Sequence, residues 1–211
     1  MLNTYEHIIW DWNGTLLDDV DLCVEIINGM LNERDMPQIS VEMYQHLFEF
    51  PVEAYYRKLG FDFVFEPFEK LAGQFVETYK SRVHECKLHA SSIDTLNSVA
   101  ELDISQSVLS SLNHSALEEE LQHHKLIDRF ELVRGIDDHF AAGKIEVGRA
   151  LVKELRIELN RTVLIGDTHH DFEVATDLGI PCILISNGHY SKARLESAHD
   201  CVIDSLQELI D

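Results

Sequence analysis

Basic residues are scarce in this chain. Its 17 Lys and Arg stand against 38 Asp and Glu, a formal net charge of -21. A field of that sign repels phosphate backbones and anionic lipid headgroups, which excludes nucleic acid and membrane surfaces as partners. Long hydrophobic runs are missing too: no segment approaches the roughly 20 apolar residues of a membrane span. The N-terminal MLNTYEH has neither the basic nor the apolar region of a signal peptide. There are 4 cysteines (Cys23, Cys86, Cys182, Cys201), scattered without close spacing, so neither a disulfide framework nor a zinc site is expected. Although there are 12 histidines, most are isolated, and His123-His124 reads as a polar helix face; a His-based metal site is disfavoured. What remains is a cytoplasmic globular chain, 45% hydrophobic and 211 residues long. That length suffices for one good core and a smaller appended domain. An anionic substrate would need positive charge supplied locally, by a metal or a few placed Lys and Arg.

The stretch His7 to Asp19, HIIWDWNGTLLDD, organises the rest. The apolar run Ile8-Ile9-Trp10 reads as a buried strand that ends on Asp11, and Asn13-Gly14-Thr15 follows as a tight turn. From Asp18 to Lys87 the pattern is helical only. Helices are expected over 18–35, 41–48, from Pro51 through Leu59 with Gly60 beyond its end, and from Pro67 onward. The rhythm then changes. Ser92 is expected to cap a helix to Glu101, and a strand over 104–109 ends on Ser110-Ser111. Helix 115–125, strand 131–133, a helix after Gly143-Lys144, strand 163–165 ending on Gly166-Asp167, and helix 171–178 stopped by Gly179 follow. Strand 182–185, helix 191–197, strand 201–203 and a terminal helix complete the chain. Repeated strand–helix units imply an α/β fold with a doubly wound, mainly parallel sheet. The first strand is cut off from that sheet by the helices. Residues 1–17 and 88–211 are therefore expected to form the Rossmann-like core and 18–87 an inserted α-helical cap domain, with a hinge at 16–18 and 87–90.

Asp11, Ser110, Lys144, and Asp167 with Asp171 all fall at carboxyl ends of strands or just before helices, which a parallel sheet brings to one edge. Carboxylates gathered there repel one another unless they share a cation. Oxygen ligands without thiolates or clustered imidazoles suit Mg²⁺, which also supplies the positive charge an anionic substrate needs. Lys144 adds a further cation, while the Ser110 hydroxyl and the backbone N–H groups of the turn can bond phosphoryl oxygens. A carboxylate can itself attack phosphorus and form an aspartyl phosphate. Each position also has a plainer reading: Ser110 as a helix cap, Lys144 as a solvated lysine at a helix start, and Asp171 as a cap. His169-His170 reads as a solvated loop.

These motifs, in this order, resemble the haloacid-dehalogenase-like (HAD) hydrolase superfamily, in its phosphoglycolate-phosphatase-like branch with a helical cap after the first strand. The resemblance spans the chain and rests on Asp11-Trp12-Asn13-Gly14-Thr15-Leu16, Ser110, Lys144, and Gly166-Asp167 with Asp171. It implies a phosphatase acting on a small phosphorylated metabolite, as a monomer or weak dimer. By that resemblance Asp11 is nucleophile and Mg²⁺ ligand, the Asn13 backbone carbonyl and Asp167 are further ligands, and Asp171 holds metal-bound water or Lys144. Ser110, or Ser111 after a one-residue slip, binds the phosphoryl group together with Gly14 and Thr15, and Lys144 neutralises it and the nucleophile.

One position departs from the pattern. Phosphatases of this superfamily usually carry an aspartate two residues after the nucleophile, as acid and then base; here it is Asn13, which can be neither. The expected outcome is a slow phosphatase, or one favouring leaving groups that need little protonation; a weakly active or inactive binding protein is the alternative. In the helical insert, Phe48-Glu49-Phe50-Pro51 and Tyr55-Tyr56-Arg57-Lys58 form the most distinctive patch. Arg57 or Lys58 is the candidate for meeting an anionic leaving group, with ordinary helix packing as the other reading. Dehalogenation does not need the metal for which the aspartates look built. Phosphonate cleavage lacks a cap lysine that stands out, and a mutase would need the same missing acid–base group.

Overall fold

The computed structural model describes residues 2–136 and 143–210. In chain order it contains β1 (His7–Trp10), β2 (Leu17–Asp18), α1 (Val20–Asn32), α2 (Val41–Leu47), α3 (Val52–Leu59) and α4 (Phe68–Arg82). Next come β3 (Lys87–Leu88), α5 (Ser92–Glu101), β4 (Ser105–Asn113), α6 (His114–His123) and β5 (Leu132–Ile136). The chain closes with α7 (Gly143–Leu155), β6 (Thr162–Gly166), α8 (His169–Leu178), β7 (Cys182–Ile185), α9 (Lys192–Glu196) and β8 (Val202–Ile203).

Six strands form one sheet in the order β5-β4-β1-β6-β7-β8, and every pairing in it is parallel. All four residues of β1 are buried, as a central strand covered on both faces requires. Strand period sends alternate side chains to opposite sides. Ile8, Trp10, Val163 and Ile165 join one core with Leu96 and Val99 of α5 and Leu117 and Leu121 of α6. Ile9 and Leu164 join another with Leu151 of α7 and Val174, Ala175 and Leu178 of α8. His7 is accommodated in the sheet because its ring nitrogens lie 2.6 Å from Ser105 Oγ and 2.8 Å from Ser107 Oγ. Burial lowers its pKa to about 4, so the ring is neutral.

The chain runs from β1 to β4 and β5 on one side, and through β6, β7 and β8 on the other. The reversal at β1 opens a crevice beyond the carboxyl ends of the strands, where ligands of such sheets bind. Helices α1 to α4 lie between β1 and the rest of the sheet in sequence. Pro51 precedes α3, and Gly60 (φ +97°) stops it in the left-handed conformation expected of a helix-ending glycine. Arg34 ties the end of α1 to the approach of α4, donating to Glu66 at 2.7 and 3.0 Å and to the Met30 carbonyl at 2.7 Å.

Several expectations are corrected. At the expected hinge, 16–18 and 87–90, there is a pairing that the sequence did not show: β2 and β3 run antiparallel, Leu17 with Leu88 and Asp18 with Lys87. Two-residue strands carry too little pattern to be read from sequence. Ser92 does not cap α5; its hydroxyl donates to the Leu16 carbonyl at 3.0 Å. Strand β4 continues past Leu109 to Asn113, with an irregularity in its pairing to β5, and the cap of α6 is Asn113, whose side chain accepts from Ala116 N. The first turn of α8 begins at His169, so His169 and His170 are not a solvated loop. His170 is buried, its ring tilted against that of Phe50 with centroids 5.1 Å apart, and His169 Nε2 lies 3.0 Å from the Arg194 carbonyl. The terminal helix is a single 3₁₀ turn, Leu206–Leu209.

Candidate active site

Asp11 leaves the end of β1 with its backbone N–H bonded to the Ile165 carbonyl at 2.9 Å, so the sheet itself fixes where its carboxylate points. Lys144, in the first turn of α7, is only 2% exposed. Its Nζ donates to Asp11 Oδ1 at 2.5 Å and to Asp171 Oδ1 at 2.6 Å. The solvated-lysine reading is thereby excluded. Each carboxylate oxygen of Asp171 has its own partners. While Oδ1 holds Lys144, Oδ2 accepts from Thr168 N at 3.0 Å and Thr168 Oγ1 at 2.8 Å, closing the start of α8. Asp167 follows β6. Thr15 Oγ1 lies 3.2 Å from Asp11 Oδ2 and 3.3 Å from Asp167 Oδ1, bridging the two carboxylates.

The turn after Asp11 is dictated by space. Gly14 has φ +72°, and a Cβ there would lie 2.3 Å from Asp167 Oδ2; one on Gly188 would lie 2.2 Å from the same atom. Both positions must be glycine for Asp167 to sit between them and accept the His189 N–H at 2.5 Å.

Asn13 does not project a free amide toward a substrate. Its Nδ2 donates to Asp19 Oδ2 at 3.0 Å and to the Tyr79 hydroxyl at 2.6 Å. Asp19 also accepts from Tyr79 at 2.7 Å and from Gly14 N at 2.9 Å. His189 Nε2 lies 3.3 Å from Asp19 Oδ1, and its Nδ1 lies 2.9 Å from the Tyr44 hydroxyl. Asp19, Tyr79 and His189 were not candidates in the sequence. A usable signal existed for His189: Asn187-Gly188 is a turn directly after β7, so the loop falls on the same sheet edge as Asp11.

Charge in the site is out of balance. Asp11, Asp19, Asp167 and Asp171 are all buried, as are Lys144 and His189. Burial opposes the Lys144 charge, but Asp11 and Asp171 outweigh it and hold its pKa above the ordinary lysine value. Burial likewise opposes the His189 charge; Asp19 foremost, with Asp167 and Asp11, reverses this and raises its pKa to about 9. For Asp19, burial would raise the pKa, but His189, Tyr79 and Asn13 bring it below the usual value. Burial raises Asp167 to about 8, His189 opposing and Asp11 and Asp171 reinforcing, and it raises Asp11 to about 6 against the pull of Lys144. Among the described residues, two carboxyl groups thus lack compensating positive charge. Carboxylate oxygens of Asp11, Asp167 and Asp171 lie within 4.8 Å of one another. This hard, all-oxygen donor set, short of positive charge, fits a divalent cation.

These groups form the floor of a cavity of about 570 Å³, lined also by Asn13, Ser110 and Ser111. Ser110 is buried, its Oγ accepting from Leu112 N at 3.0 Å; it is not a helix cap. The roof comes from helices α1 to α4 and the segment joining α2 to α3: Phe48, Phe50, Tyr55 and Tyr56 line it, so the aromatic half of the patch noted in the sequence faces the site. Its basic half does not. Arg57 pairs with Glu53 at 2.6 Å and lies over the Phe63 ring at 4.5 Å, and Lys58 pairs with Glu49 at 2.5 Å. Neither lines the cavity. Burial of Tyr55 and Tyr56 turns the next two positions of α3 to the outside.

A sequence profile of the haloacid dehalogenase-like hydrolases matches residues 8–185. No curated protein sequence is significantly similar to the chain. Among solved structures, a predicted phosphatase from Clostridium acetobutylicum superposes with a TM-score of 0.81 at 21% identity, over 98% of this chain and 96% of that one. A haloacid dehalogenase-like family hydrolase from Streptococcus pneumoniae gives 0.81 at 18% identity, over 98% and 97%. Protein Tyrosine Kinase A of Mycobacterium tuberculosis gives 0.81 at 22%, over 97% and 96%. Likeness at such identities speaks for the fold alone, and the kinase among the three illustrates that one fold serves several chemistries. The profile match covers most of the chain and agrees with the doubly wound sheet and the order of its carboxyl-end residues: this chain belongs to the haloacid dehalogenase-like hydrolases.

Proposed function

We propose that the chain is a Mg²⁺-dependent phosphatase that hydrolyses a small phosphomonoester through a phosphoryl group carried on Asp11. The observation that supports this best is Lys144 Nζ held between Asp11 and Asp171, beside Asp167, on the floor of one cavity. A carboxylate oxygen of Asp11 attacks phosphorus, the bond to the leaving oxygen breaks, and that oxygen is released. Water then attacks the phosphorus of the acyl phosphate, freeing inorganic phosphate and restoring Asp11. Lys144 offsets charge on the nucleophile and the phosphoryl oxygens, and Ser110, with Ser111 beside it, donates to those oxygens. Asp11, Asp167 and the Asn13 backbone carbonyl would hold the cation, with Asp171 orienting Lys144. When bound, Mg²⁺ supplies further stabilisation of the transferring phosphoryl group.

In this reading residues 18–87 act as a cap that covers the cavity and excludes water, on the β2–β3 ribbon as its attachment. The free state of Cys23, Cys86, Cys182 and Cys201 suits a reducing, cytoplasmic setting. Asn13 favours a second reading, a phosphate-binding protein of negligible turnover, because its amide is committed to Asp19 and Tyr79 and no acid stands there. General acid–base help is worth roughly 10²–10⁴-fold, the deficit the enzyme would carry on poor leaving groups. A panel of phosphomonoesters assayed with and without Mg²⁺ separates the two. Mg²⁺-dependent phosphate release that is abolished by Asp11→Asn is expected; activity unchanged by that substitution would refute the enzyme reading.

A further inference from the structure

The cavity above the carboxylates is unusual for a site meant to take a small, highly polar metabolite. Phe48, Phe50, Tyr55, Tyr56, Phe68 and Phe75 line it. Phe48 lies 5.4 Å from the His189 ring and Phe50 lies 5.1 Å from that of His170, so the aromatic wall begins at the ionic floor. It continues through Tyr55, 5.4 Å from Phe48. The charged residues that line its helical side are Glu69, Glu77 and Lys80, all of them exposed, so two carboxylates outnumber the one amine and a carboxylated leaving group is not favoured. Tyr55 is a second, independent sign. It is buried, and its hydroxyl has no hydrogen-bond partner among the described residues, a state that costs free energy unless a ligand supplies one.

Resting on the phosphatase reading, we infer that the substrate is an aryl phosphate monoester whose ring carries a hydrogen-bonding group that meets the Tyr55 hydroxyl. Edge and face contacts with the lining rings hold the ring of the leaving group. A cavity of about 570 Å³ is of the size that encloses one such ligand. The leaving group also matches the chemistry of the floor. A phenol ionises near pH 10, as tyrosine does, whereas water, and alcohols like it, hold their proton to about 15.7. As the phosphorus–oxygen bond breaks, a phenoxide departs as the anion and takes its proton from solvent afterwards. The proton donor that Asn13 cannot be is then not required.

The test compares kcat/KM, with Mg²⁺, for 2-naphthyl phosphate, 6-hydroxy-2-naphthyl phosphate, hexyl phosphate and glycerol phosphate. The naphthyl esters should exceed both alkyl esters by at least about tenfold, the equivalent of burying one ring. The hydroxylated ester should exceed the plain one, and Tyr55→Phe should erase that ratio. Because turnover could fail for reasons of chemistry, binding of naphthylmethylphosphonate and hexylphosphonate is measured by calorimetry in parallel. Tighter binding of the aryl phosphonate sustains the inference even if nothing is hydrolysed, a result that would count against the phosphatase reading alone. Equal handling of aryl and hexyl compounds, with phosphate released from both, overturns the substrate class and leaves the phosphatase reading standing. No phosphate release from any of the esters, together with equal binding of the two phosphonates, overturns both.

Discussion

His189 Nε2 stands 3.3 Å from Asp19 Oδ1, and both side chains are buried. Burial disfavours the imidazolium, yet Asp19 outweighs it and lifts the pKa to about 9. The folded state therefore holds a proton that the unfolded chain, with an ordinary histidine near 6.5, releases earlier. The contribution to stability is full below about pH 6.5 and is lost as pH rises through about 9. Thermal unfolding of the wild type should show this alkaline decline, and His189→Gln should flatten it. Asp19→Asn should cost about 3–5 kcal/mol, since it leaves a buried charge alone. A small loss of melting temperature would count against the pair.

Asn13→Asp looks like a simple restoration of an acid, but the structure predicts otherwise. The Nδ2 of Asn13 donates to Asp19 Oδ2 at 3.0 Å, and a carboxylate in its place would face another. The single substitution should destabilise by about 1–3 kcal/mol. Adding Asp19→Asn exchanges donor and acceptor, so the double variant, in which His189 still loses its Asp19 partner, should cost less than the sum of the two single substitutions. Turnover of an alkyl phosphate should then rise in the double variant more than in either single one. A double-mutant cycle that shows simple additivity would refute the coupling.

Gly188→Ala tests the packing around Asp167. The added methyl would lie 2.2 Å from Asp167 Oδ2, so the carboxylate must move. Affinity for the divalent cation, followed by calorimetry, should fall by about tenfold or more, with stability also reduced. Unaltered cation binding would mean that Asp167 is not a ligand.

Glu120 gives a pH effect away from the site. It is buried in α6, where burial raises its pKa to about 7 although Trp12 Nε1 donates to it at 2.6 Å. The folded state prefers the protonated form more than the unfolded chain does. Its contribution is thus full below about pH 4.5 and is lost as pH rises through about 7. Glu120→Gln keeps an acceptor for Trp12 and has no charge to bury. It should raise the melting temperature at pH 8 and give little gain at pH 5; an equal gain at both would contradict this.

What the sequence disclosed of the site follows from period and position. Ile8-Ile9-Trp10, Val163-Leu164-Ile165 and the glycine stops at Gly60 and Gly179 are local signals, and each element lies where those signals put it. Asp11, Ser110, Lys144, Asp167 and Asp171 converge because parallel strands end on one edge. Asp19, Tyr79 and His189 were hidden for a different reason. Their partnership joins a turn, a helix 60 residues away and a loop near the end of the chain, and no short-range pattern marks it. Arg57 misled because a cation beside aromatics is conspicuous in sequence, whereas the helix face on which it falls is set by Tyr55 and Tyr56.

The short pairing of Leu17 with Leu88 and Asp18 with Lys87 brings the outgoing and returning chain side by side. Residues 19–86, with helices α1 to α4, leave and rejoin the sheet through what is mechanically a single stem. Whatever is attached to such a stem can change in length, shape or lining without altering how β1 lies against β4 and β6. In the proposed reading, the residues that would handle a phosphoryl group and those that would choose its leaving group are thereby free to vary separately, and a transplant of residues 19–86 onto another sheet of this kind should carry substrate preference with it.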